Sequence, residues 1–121
     1  MDIRTSSMIG LEVFSKLQQA GNDLIEIHQK HHQGLIDDAH EMILELKKRL
    51  KYEHTEALKF IKANAKMVKQ AEGRSILEIM AVLAATCHRV NGRLEKKDGV
   101  KQAQQEVAVA LSMFAPETQV S

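Results

Sequence analysis

Between Gly34 and Gly73 the chain contains neither glycine nor proline. Few features constrain a fold more, because nothing in such a run forces a helix to stop. An apolar seam runs into it from upstream through Leu24, Ile27, His31, Leu35, Ala39, Met42, Leu46 and Leu50, with a spacing near the helical repeat. Taken literally, residues 23–72 form one helix about 75 Å long at 1.5 Å per residue. A compact domain of this size has a radius of gyration of roughly 13–14 Å. The helix must therefore break, or the protein must be an elongated coiled-coil oligomer. The seam lapses over Lys51–Thr55, where only Tyr52 is apolar, and Thr55 is a usable N-cap. The pattern predicts a break at residues 51–55.

The flanking segments also read as helices. Ser6 or Ser7 is placed to cap a first helix ending near Ala20, where Gly21-Asn22 interrupts it. Gly73 suits the left-handed position after a helix, and Ser75 with Glu78 has the S-x-x-E form of a capping box. The helix that follows, 75–90, is apolar nearly all round and should be the central element. Asn91-Gly92 and Asp98-Gly99 mark a loop or helical turn. A last helix carries Val100, Ala103, Val107, Ala110, Leu111 and Phe114, with Pro116 as its stop. The expectation is an all-α fold, a four- or five-helix bundle with long amphipathic middle helices that self-associates. Residues 1–115 form one helical domain and 116–121 a flexible tail.

Composition narrows the chemistry. Aromatic residues are 3% and Trp is absent, so the core must be built from Leu, Ile, Val, Met and Ala. Cys87 is the single cysteine, which excludes an intramolecular disulfide and fits a reducing cytoplasm. In so apolar a helix it reads as a buried structural thiol, and His88 beside it points about 100° away. The stretch MDIRTSSMIGLEVF has an acid beside Met1 and no long apolar run, so it does not read as a secretory signal. ILEIMAVLAATC is too short, and too interrupted by Glu78, for the ~20 residues of a membrane span. No Gly-rich phosphate loop, G-x-S-x-G or nucleotide fingerprint is present.

The net charge of +1 hides a strong segregation. Residues 1–46 hold three bases and eight acids, whereas 47–74 hold nine bases and three acids. Lys59, Lys62, Lys66 and Lys69 are spaced three, four, three and would form one band on a helix, flanking a face made by Leu58, Ile61, Ala65 and Val68. Lys47, Lys48, Arg49, Lys51 and Arg74 extend it. Such a band is an anion-binding surface or, more plainly, a solvated face. Stacking aromatics are scarce and Arg is outnumbered by Lys, which weighs against nucleic acid. Asp37, Glu41 and Glu45 make an acidic band upstream, with Asp38 beside it, and this band is able to meet the lysines within one chain or across a dimer. Local pairs Glu45–Arg49 and Glu56–Lys59 compete with that meeting.

His28, His31 and His32 cluster at helical spacing. H-x-x-x-H can clamp zinc, but no further ligand has a diagnostic spacing, so no metal site is assigned. The cluster instead reads as imidazoles at an interface or bundle end, able to make association pH-dependent. DDAHE (Asp37, Asp38, Glu41) and EKKD (Glu95, Asp98) resemble the two halves of the magnesium-binding carboxylate pattern of helical nucleotide pyrophosphatases, E-E-x-x-E and E-x-x-D. That resemblance implies a remote third reading as a metal-dependent nucleotide hydrolase.

The leading expectation is a small cytoplasmic, non-enzymatic protein–protein interaction module, of adaptor, regulator or chaperone type. It would act through helix surfaces as a homo-oligomer such as a homodimer, with no catalytic residues, no cofactor and no membrane insertion. The second reading is a nucleic-acid-binding regulator using the basic segment 47–74.

Overall fold

The computed structural model describes residues 5–114. Within them the chain is all-helical: α1 (Ser6–His32), α2 (Ile36–Ala63), a 3₁₀ turn (Ala65–Lys69), α3 (Ala71–Leu94) and α4 (Gly99–Ser112). Short connections make the helices run up, down, up, down. α1 and α3 are thus parallel and pack on each other, and each also packs on both α2 and α4. α2 and α4 lie on opposite sides of that pair. α3 touches α1, α2, α4 and the 3₁₀ turn, which makes it the central helix, as its apolar character predicts. No helix among the described residues is long and apolar enough to cross a membrane. Pro116 and the tail lie outside the described residues.

The core is aliphatic. Leu17, Leu24 and Ile27 of α1 meet Leu46 of α2, Leu83 and Val90 of α3, and Val107 of α4, all under 3% exposed. Ala20, Ala39, Ala57, Ala84, Ala103 and Ala110 fill further inward positions and keep the helix axes close.

Several boundaries differ from those the sequence predicts. α1 starts from Thr5, whose hydroxyl accepts the Met8 N–H at 3.2 Å, rather than from Ser6 or Ser7. Glu72 of α3 accepts the Ser6 N–H and, at 3.2 Å, its hydroxyl, and so ties the two parallel helix starts together. α1 also runs straight through Gly21-Asn22. A Cβ on Gly21 would stand 3.3 Å from Val107, so this glycine marks where α4 crosses α1, not a helix end.

The long run breaks at Gly34, not at 51–55. Gly34 has φ +81°, with the Gly34 N–H on the His31 carbonyl and the Leu35 N–H on the Lys30 carbonyl. That crossed pair is a Schellman ending, which needs a residue that tolerates the left-handed region. Through Lys51–Thr55, α2 continues unbroken because its inward positions there are held by polar partners. Glu53 pairs with Lys16 of α1 at 2.7 Å, and the His54 ring lies 5.4 Å from that of His88 on α3. Thr55 is exposed and mid-helical.

The second break is at residues 64–70. The Asn64 side chain donates to the Phe60 carbonyl at 2.9 Å, and the 3₁₀ turn follows. α3 then begins at Ala71, so Gly73 and Ser75 lie inside it and Ser75–Glu78 is not its capping box. Gly73 answers a close approach: a Cβ there would sit 2.2 Å from the Met67 carbonyl oxygen.

Candidate functional site

These boundaries split the lysine band. Lys59 and Lys62 lie on the last turns of α2, whereas Lys66 and Lys69 belong to the 3₁₀ turn, which winds three residues to the turn and breaks the register. The apolar stripe beside them changes as well. Ala57 is buried and Phe60 and Ile61 are half-buried, but Leu58 and Val68 are each about half exposed, 48% and 49%.

A different stripe is continuous. On α2 the positions Asp37, Glu41, Leu44, Lys48, Lys51, Thr55, Leu58 and Lys62 alternate steps of four and three, and every one is exposed. Such a spacing keeps them on one face. That face points away from the bundle, because the buried residues of α2 are Ala39, Leu46, Leu50 and Ala57. Its two halves have opposite sign. Residues 36–46 hold four acids, Asp37, Asp38, Glu41 and Glu45, and no base. Residues 47–63 hold six bases and two acids, and both acids are engaged: Glu53 by Lys16, Glu56 by Lys59 at 3.4 Å.

Among the described residues the acidic and basic bands do not meet: the acids, Lys59 and Lys62 lie at different heights of α2, and Lys66 and Lys69 lie on the 3₁₀ turn beyond it. Lys47 pairs with Glu95 at 3.2 Å, and Arg49 pairs with Asp23 of α1 rather than with Glu45. Asp37, Asp38, Glu41, Glu45, Lys48, Lys51 and Lys62 form no ion pair among the described residues. Helix-dipole effects account for Asp37, Asp38 and Lys62, which sit in the first and last turns. They do not account for Glu41, Glu45, Lys48 and Lys51, which lie in the middle. Leu44, Tyr52 and Leu58 add exposed apolar surface, at 47%, 62% and 48% exposure.

A groove of about 500 Å³ between α1 and α2 is lined by Asp23, Glu26, Asp38, Glu41 and Glu45, with Lys30 and Arg49 at its edges. A second depression of about 430 Å³ on the α3 side takes in Leu44, Lys48 and Lys51 beside Glu95. Glu41, Glu45 and Glu95 therefore border one hollow, although the pattern that resembles the pyrophosphatase motif pairs Glu95 with Asp98. Among the described residues no group of three His, Cys, Asp or Glu side chains is placed to hold a metal ion.

The histidines lie at the tip of the α1–α2 hairpin. Residues 28–38 include no buried side chain; His28 and His32 are exposed and His31 is half-buried. His54 and His88, which carry no signal in the sequence because they are far apart in it, are the pair whose rings actually approach.

Cys87 is buried beside a cavity of about 240 Å³ that Lys16, Leu17, Leu50, Glu53 and Leu83 also line. Burial pushes its thiol from an ordinary 9.0 up to about 12; the Glu53 carboxylate adds to the rise and Lys16 opposes it. A thiol so held is not a nucleophile at neutral pH.

Comparison with known protein families, curated proteins and solved structures finds no match to this chain.

Proposed function

We propose that the protein is a small interaction module that works by presenting helix surfaces and associates with itself. The observation that carries this reading is the outer face of α2, an exposed stripe of Asp37, Glu41, Leu44, Lys48, Lys51, Leu58 and Lys62 divided into an acidic and a basic half. Charges on one face that have no partner among the described residues are available to a partner. The apolar residues among them give that partner something to bury. Reversal of Lys48, Lys51, Lys59 and Lys62 together, each to Glu, tests the proposal. Helicity by circular dichroism should stay unchanged, because all four side chains are exposed, and association measured by sedimentation should be lost. Association at the level of the unmodified chain would contradict it.

The nucleic-acid reading stands second. Its basic residues are divided among α2, the 3₁₀ turn and the start of α3, and the acidic half of α2 would repel a phosphate backbone laid along it.

A further inference from the structure

The outer face of α2 is complementary to itself reversed. Acids occupy its first eleven residues and bases the remainder. Two copies laid parallel would set acid against acid and base against base. Two copies laid antiparallel about a two-fold axis set each acidic half against the other copy's basic half. Resting on the reading of the protein as an interaction module, we infer that the partner of this face is a second copy of the same chain, joined through α2 in an antiparallel, two-fold symmetric pair.

A two-fold contact uses the same patch on both copies, so every contact occurs twice. With the axis near Leu46, where the sign of the face changes, Glu41 comes beside the partner's Lys51, and Leu44 and Glu45 come beside the partner's Lys48. Residues 36–56 of the two helices then overlap for about 32 Å. The exposed apolar residues supply buried area. The charges fix the direction and register, since exposed ion pairs contribute little on their own. Two single helices facing each other make a contact at the small end of specific interfaces, so the pair should be weak and salt-sensitive.

The test uses two charge variants of the full chain. The first carries Asp37→Lys, Glu41→Lys and Glu45→Lys, which makes the face wholly positive. The second carries Lys48→Glu, Lys51→Glu and Lys62→Glu, which makes it wholly negative. Every substituted side chain is exposed, so circular dichroism should report an intact helical fold. In light scattering at low salt each variant alone should be a monomer. An equimolar mixture should regain the mass of the pair, and a chain carrying all six substitutions should pair with itself again. A role confined to stabilising one chain would not produce recovery on mixing. If either variant alone associates as the unmodified chain does, or if the mixture stays monomeric, the antiparallel contact is overturned. In that case association of the unmodified chain would leave the broader reading standing on another surface. An unmodified chain that never associates would instead remove the self-association reading itself.

Discussion

Two neighbouring residues at the centre of α3 make opposite demands on their surroundings. Thr86 is fully buried, and its hydroxyl oxygen has no hydrogen-bond partner among the described residues. Desolvating a hydroxyl without compensation is costly, so Thr86→Val, which keeps the shape and removes the polar atom, should stabilise the fold by about 1 kcal/mol. A higher thermal midpoint would show it. Cys87 behaves as the small buried hydrophobe its sequence context predicts. Its folded pKa of about 12 lies above the ordinary 9.0, so the folded chain retains a proton that the unfolded chain releases between those values. The resulting stabilisation is complete below about pH 9 and is lost as pH rises toward 12. In urea melts, the stability gap between the unmodified chain and Cys87→Ala should therefore shrink across that window. Below it, thiol reagents should label the unfolded chain fast and the native one slowly.

At the scale of the element, periodicity was enough to read helices, and local chemistry was enough to misplace their ends. The central position of α3 was legible in its composition. The break at Gly34 carries a signal too, a glycine after His31, His32 and Gln33, but the helical spacing of Ile27, His31, Leu35 and Ala39 runs on across it and masks the end. The lapse at Lys51–Thr55 resembled a break because salt bridges and ring contacts between helices leave no trace in a single chain's periodicity. Gly21 and Gly73 resembled helix ends for a related reason. Both glycines are set by a neighbour's approach, from Val107 and from Met67, and such approaches are properties of the assembled bundle. Gly73→Ala consequently should destabilise by about 1–3 kcal/mol, since the clash is with the backbone of the 3₁₀ turn. Gly92→Ala, also helical but with nothing within 4 Å of the added Cβ, should instead gain about 0.5–1 kcal/mol. Denaturant midpoints of the two variants moving in the same direction would contradict this account of why each glycine is there.

For the whole molecule, the segregation of charge along the sequence becomes a segregation along one helix. The acidic and basic blocks are legible in the sequence, but the helical spacing of Lys59, Lys62, Lys66 and Lys69 conceals the change from α2 to the 3₁₀ turn that separates them. Once α2 is bounded at Ile36 and Ala63, the stripe from Asp37 to Lys62 can be read as a single surface with two signs. Its charges are exposed and unpaired among the described residues, so their reach is set by the ionic strength, with a Debye length of about 8 Å at physiological salt and about 3 Å at 1 M. The molar mass of the unmodified chain by light scattering, at low salt and again near 1 M, therefore tests the central claim most directly. The account predicts a two-chain species that falls toward the monomer as salt rises. A monomer at every concentration and salt, or a dimer indifferent to salt, would contradict it.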